Sequence, residues 1–395
     1  MAGPMDHRAS VSDFRAALQK WLPEAIPANW RQTVQQGGEA GYLATQRAWY
    51  QTLSDAGLAT AHWPGAWGGS DLTLEYQIAL FQEFARAGAP MIDLNLISLY
   101  HMAATLFAHG TDAQRAKYLE GARSGGVVWC QGFSEPGAGS DLASLRTKAM
   151  KKGDKYVVSG QKIWSSYAAW ADYCLLLVRT DSEAKRKHDG ISMLIVDMKS
   201  PGVSIQPIRQ ITGEAEFCEL FFDDVEVPVE NLVGQENAGW NIAQSTLTTE
   251  RGLLIFEHAE RMTHAYARDA ASGAGTWLSD PVNAHEFASF YPRIRALNCM
   301  VARLLDILGG DPHGGGDLAT YIKLYWATLL HDYTGALSRM QGLEGQVEFG
   351  NMRGAGHTTG AHAYDFLWSY SWTIAGGTNE IMRNIISERL LGLPR

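Results

Sequence analysis

The chain has 395 residues, 46% of them hydrophobic and 19% charged, so it can bury more than one core and is neither disordered nor fibrous. A formal charge of -9 disfavours nucleic acid as the main ligand, because phosphate binding draws its affinity from lysine and arginine. No run approaches the roughly 18 apolar residues of a membrane span, the N-terminus lacks a charged-then-apolar signal pattern, and Cys130, Cys174, Cys218 and Cys299 are too scattered for a CxxC site; a cytoplasmic protein with reduced thiols, no membrane anchor and no metal is expected.

Val11, Phe14, Leu18, Trp21 and Leu22 recur at spacings of three and four, which predicts a first helix with one apolar stripe. Tyr76, Ile78, Phe81, Phe84 and Ala85 predict another, and 94–107 and 112–119 read as two more. Between them Trp63-Pro64-Gly65-Ala66-Trp67-Gly68-Gly69 breaks the helices with turn residues. From Val127 the period shortens. Runs at 156–158, 173–179, 191–197, 203–207 and 219–227 predict strands, and six or so in about 100 residues suit a compact antiparallel barrel or sandwich. Helix returns after Gly239, broken by glycine-rich connections at 309–316 and 350–360. The chain reads as α+β, with a helical N-terminal domain over 1–125, a central antiparallel β-domain over 126–235 and a C-terminal helical bundle over 236–395.

Three clusters carry chemistry. The stretch Trp129 to Leu145, W-C-Q-G-F-S-E-P-G-A-G-S-D-L-A-S-L, follows a β-like run. Gly137 and Gly139 would permit positive φ and close backbone approach, and Ser134 and Ser140 offer hydroxyls beside anion-friendly N–H groups; a plain surface turn remains the other reading. In Lys162-Ile163-Trp164-Ser165-Ser166 a tryptophan beside hydroxyls can cover a flat heteroaromatic ring, or simply pack a strand. Gly376-Gly377-Thr378-Asn379-Glu380-Ile381 makes a helix start with amides free for an anion. Glu250, in Thr248-Thr249-Glu250-Arg251-Gly252, shares a helical face with Ala243, Leu247 and Leu254. A carboxylate desolvated there would suit proton abstraction from carbon, whereas on the surface it would do nothing.

These clusters, in this order, resemble the acyl-CoA dehydrogenase family along nearly the whole chain. Further anchors are Trp63-Pro64 with Trp67-Gly68-Gly69 and Asp223-Asp224-Val225-Glu226-Val227-Pro228. The resemblance implies a C-terminal four-helix bundle and FAD as cofactor. It implies that Phe133 and Ser134 line the flavin, that Gly139 and Ser140 lie near its phosphates or the CoA arm, and that Trp164 and Ser166 meet the flavin ring. Thr378 and Glu380 match dinucleotide contacts, and Arg251 is implied on the substrate side, orienting the helix of the base.

Two departures sharpen this. Many members carry the base just before the Gly-Thr of the C-terminal motif, and here that residue is Gly376; others carry it where this chain has Glu250. The resemblance therefore implies Glu250 as base, with Gly376 still giving its N–H to the thioester carbonyl. The Arg-x-x-Phe-Gly segment by which one subunit usually reaches a neighbour's FAD is also absent, 278–287 reading LSDPVNAHEF, and the adenine-side motif is degraded to QVEFG at 346–350. This is similar to the base-bearing subunits of bacterial heteromeric, steroid side-chain type members, and implies a paralogous partner in an α2β2 assembly, otherwise a homotetramer. The implied reaction is α,β-desaturation of an acyl-CoA, with hydride passing to flavin N5 and electrons to an electron-transfer flavoprotein. A ring-bearing acyl group is expected; a medium or branched acyl chain, a non-catalytic partner role, and an oxidase or flavin monooxygenase on the same fold are the alternatives.

Overall fold

Ser10 accepts from the N–H of Asp13 and starts α1 (Val11–Ala25), whose Phe14, Leu18 and Leu22 are buried. The computed structural model describes residues 10–311, 314–343, 345 and 352–394, with only the backbone of 245–254 described. α2 (Trp30–Asp55) is kinked where Gly38 takes a φ of 55°, and α3 (Leu74–Ala87) ends on Gly88 in the left-handed conformation. A π-helical turn at Ile97–Met102 runs into α4 (Ala103–His109). α5 (Asp112–Arg123) opens with a reciprocal capping box between Thr111 and Gln114.

The strands are β1 (Trp129–Gly132), β2 (Lys148–Lys152), β3 (Lys155–Ser166), β4 (Tyr173–Arg179), β5 (Ile191–Asp197), β6 (Val203–Ile208), β7 (Phe217–Pro228) and β8 (Leu232–Val233). They form one sheet in the order β6-β7-β3-β2-β4-β5-β8, with β1 beside β4. Most pairings are antiparallel, as expected, but β1 and β2 run parallel to β4, because the β2–β3 hairpin separates them from it and no tight turn joins them. β4 is buried on both faces through Leu175, Leu176, Leu177 and Val178, which is why its sequence is a continuous apolar run and not an alternating one.

The last helices are α6 (Gly239–Gly273), α7 (Pro281–Gly310), α8 (Gly316–Met340), α9 (His362–Ile374) and α10 (Asn379–Ile385). The chain divides into two compact units, one of Met1–Thr52, Asp71–Met91 and Arg251–Arg395, the other of Leu53–Ser70 and Ile92–Glu250. The first is helical, with a core built from α6, α7 and α8 and joined by Ile78 of α3; Phe256, Met262, Phe287, Leu297, Trp326 and Leu330 lie inside it. The second holds the sheet, α4 and α5. In it Trp63 is fully buried and its indole N–H donates to the Leu99 carbonyl at 3.0 Å. Among the described residues no helix is long and apolar enough to cross a membrane.

Candidate active site

In the sheet unit, β1 delivers the chain into the Phe133–Asp141 turn, which closes on itself through paired backbone bonds between Glu135 and Ala138, 3.1 and 3.0 Å. Neither Gly137 nor Gly139 is in the left-handed region that the sequence led us to expect, and among the described residues a Cβ on either would meet nothing within 4 Å. Neither backbone conformation nor packing among the described residues therefore requires glycine at these two places. What the glycines leave is open space in front of the turn.

The turn is fixed from beneath. Lys162, fully buried on β3, donates to the Phe133 carbonyl at 3.0 Å and to Glu135 Oε1 at 2.9 Å, while the backbone N–H groups of Arg146 and Thr147 donate to the same carboxylate at 2.7 and 2.8 Å. Burial pushes the Lys162 ammonium down to about 8, against the pull of Glu135. Burial alone would raise Glu135, but the lysine and the Thr147 bonds outweigh it and leave the carboxyl below its ordinary range. Lys162→Met strands the buried Glu135 carboxylate, so we expect a loss of about 3–5 kcal/mol of stability, read as a fall in the denaturant midpoint at unchanged slope. A loss below 1 kcal/mol, on the order of an exposed pair, would mean the clamp is dispensable.

β3 reaches the turn directly, the Ile163 N–H donating to the Ser134 carbonyl at 2.9 Å. At the next residue the pairing with β7 slips, and Trp164 sits in that bulge at φ 63° and is 57% exposed. A bulky side chain in the left-handed region is strained, and such strain gathers where a side chain is aimed for use. Phe217 braces the indole edge-on at 6.3 Å. The buried Ser165 hydroxyl has no hydrogen-bond partner among the described residues, and Ser166 beside it is half-buried. Phe133 is buried and Ser134 half-buried; Gly139 and Ser140 are exposed.

Beside this turn Lys187 pairs with Asp141 at 2.5 Å. The loop that carries it, with the start of α6, borders a half-open cavity of about 290 Å³ lined by Arg186, His188, Asp189, Asn237, Trp240 and Asn241. The His188 ring lies edge-on to the Trp240 indole at 4.6 Å. Arg186 is already paired with Asp189 at 3.0 and 3.1 Å, so a phosphate here would have to share that guanidinium with the carboxylate, beside an aromatic face that suits a flat base.

The remaining positions belong to the helical unit or to α6. Gly376 and Gly377 take φ of 65° and 93° between α9 and α10, and among the described residues a Cβ at Gly376 would meet nothing within 4 Å. The Thr378 hydroxyl caps α10, accepting from the Ile381 N–H at 3.1 Å, and the exposed Glu380 pairs with Arg383 at 3.1 Å. Glu250 and Arg251 lie on α6, and their side chains fall outside the described residues, as does the 346–350 motif. Sequence reading passed over Lys323 of α8, which is buried and donates to the Gly377 carbonyl at 2.6 Å; its signal was a lone lysine in an apolar helix.

Family models of the acyl-CoA dehydrogenase N-terminal, middle and C-terminal domains match residues 9–126, 130–225 and 237–391. The chain belongs to the acyl-CoA dehydrogenase family. It is 35% identical over 405 residues to the acyl-CoA dehydrogenase IpdE1 of Mycolicibacterium smegmatis, covering 98% of both chains. Among solved structures it matches a chain of the Tcur3481-Tcur3483 steroid ACAD with a TM-score of 0.85 at 32% identity, covering 99% of this chain and 100% of that one. It also matches a chain of the ChsE4-ChsE5 complex from Mycobacterium tuberculosis, TM-score 0.81 at 28% identity, covering 98% of each. The helical N-terminal part, central sheet and C-terminal helices are thus the acyl-CoA dehydrogenase fold, and the chain is an enzyme of acyl-CoA dehydrogenation.

Proposed function

We propose that this acyl-CoA dehydrogenase desaturates a ring-bearing acyl-CoA at the α,β bond, with FAD as cofactor, Glu250 as base and the Gly376 N–H as donor to the thioester carbonyl. The observation that carries the cofactor reading is Trp164, an exposed indole held in a strained bulge next to a turn whose two glycines face open space. With Phe133, Ser134 and Ser166 it would hold a flat heteroaromatic ring, and the unpartnered Ser165 hydroxyl adds a polar group to the same strand. Gly139 and Ser140 would approach the phosphates, with Thr378 and Glu380 contributing from the second glycine turn. These residues fit the group; FAD, when bound, would take the β-hydrogen as hydride.

The chain's own work is proton chemistry and positioning. On α6 the residues seven before and seven after Glu250, Ala243 and Glu257, are buried, which supports a base on the inward face of that helix. The Gly376 amide would polarise the thioester and so acidify the α-carbon. Arg251 would orient the helix from the substrate side, and the Arg186–Trp240 cavity suits the phosphoadenosine end of CoA. The ring-bearing substrate is supported by the relative described as a steroid ACAD. A paralogous partner is supported by the two-component names of the matched complexes and by 278–287: Phe287 stacks on Tyr266 at 4.4 Å inside its own core, and Asp280 caps α7, so the segment offers no arginine to a neighbour's FAD. Electrons would leave to an electron-transfer flavoprotein.

Gly139→Val separates ligand space from packing. The new Cβ meets open space among the described residues in a backbone that tolerates it, so stability should stay within about 0.5 kcal/mol of the wild type, while the FAD uptake of the assembly co-expressed with a paralogous chain is lost. Full FAD content in the folded variant would refute the placement of the cofactor.

A further inference from the structure

We propose that Lys323 is a positioning residue for this reaction: from α8 its buried ammonium holds the turn that presents the Gly376 amide to the thioester. The inference rests on the function proposed above. Two consecutive glycines with φ of 65° and 93° form the most freely pivoting link a chain can have, and among the described residues nothing lies within 4 Å of where a Gly376 Cβ would be. A donor on such a link is useful only if the turn is held from outside. Lys323 does this by donating to the Gly377 carbonyl at 2.6 Å and to Asn379 Oδ1 at 3.3 Å, one residue on either side of Thr378. The Asn379 amide reaches back to Thr328 Oγ1 on the same helix at 3.5 Å, and Asn379 and Met382 of α10 are buried. The last turn of α9 supplies the other edge, with the Ala375 N–H on the Ser371 carbonyl at 2.7 Å. The free segment between these two anchors is Gly376 itself. A catalytic donor displaced by about an ångström loses on the order of a hundredfold, so a charge-assisted bond to the adjacent residue is a direct control on rate.

The test compares the wild type with Lys323→Met, with Lys323→Gln should the first not fold, and with Lys323→Arg, which can still reach both acceptors. Amide hydrogen exchange of residues 375–379 needs neither cofactor nor substrate, and it should quicken roughly tenfold in the Met or Gln variant while α8 stays protected. In the flavin-loaded enzyme, difference infrared spectra of a steroid side-chain acyl-CoA labelled with ¹³C at the thioester carbonyl should show the bound carbonyl stretch returning towards its free value, with kcat falling about tenfold or more and KM nearly unchanged. Lys323→Arg should restore all three. Unchanged exchange and an unchanged carbonyl stretch in a folded variant would overturn the proposal. A wild type that binds the labelled thioester without shifting its carbonyl would overturn the role of Gly376, and the role of Lys323 with it, even if exchange quickens.

Discussion

Glu250→Gln is expected to lower turnover about 10²- to 10⁴-fold, the range for removing a general base, with FAD content unchanged. The amide keeps the shape of the side chain and cannot accept the α-proton. No compensation is available from the C-terminal turn, where Gly376 provides a backbone N–H and no carboxylate. Because a Cβ at Gly376 would meet no described atom within 4 Å, although its φ of 65° is strained, Gly376→Glu placed in the Glu250→Gln background should recover part of the lost rate. Steady-state rates with an artificial acceptor, set against flavin absorbance, check both variants; full activity of Glu250→Gln would remove Glu250 from the mechanism.

The second large effect concerns assembly. Expressed alone, the chain should retain little FAD and little activity, and co-expression with a paralogous acyl-CoA dehydrogenase chain should restore both. The arginine by which a neighbouring copy would be completed is missing from 278–287, where Asp280 caps a helix and Phe287 fills the core. Two copies of this chain would leave each other's cofactor sites unfinished. A ligand present at a hundred times its Kd stabilises by about 2.7 kcal/mol, so added FAD should raise the melting temperature of the mixed assembly and leave that of the isolated chain unmoved. A stable, FAD-saturated, active homotetramer would contradict this.

Much of the fold was legible because single periods dominate single elements. α1 and α3 carry their apolar residues at spacings of three and four, and β4 and β5 fall on the runs 173–179 and 191–197. α2 was not legible: Gln35, Gln36, Gly37 and Gly38 interrupt its stripe, and the helix kinks there. β2 was hidden by its lysines, since only Ala149 of Lys148–Lys152 is buried. The β2–β3 turn at Gly153 and Asp154 is a short-range hairpin signal that could have found it. In the site, residue types and their order pointed to the correct family, but conformation was out of reach. Nothing in Trp164 announces a positive φ, and Gly137 and Gly139 answer to open space and not to backbone strain. The buried lysines were invisible because their partners, Glu135 for Lys162 and Gly377 for Lys323, are 27 and 54 residues away in the chain.

The most direct test is anaerobic mixing of the flavin-loaded, co-expressed assembly with steroid side-chain acyl-CoAs, following flavin absorbance and the mass of the thioester together. Oxidised flavin should bleach as a product lighter by two hydrogens appears in equal amount, and both changes should vanish in Glu250→Gln. A flavin that stays oxidised while the thioester remains saturated, with steroid and simple acyl-CoAs alike, would contradict the proposed desaturation.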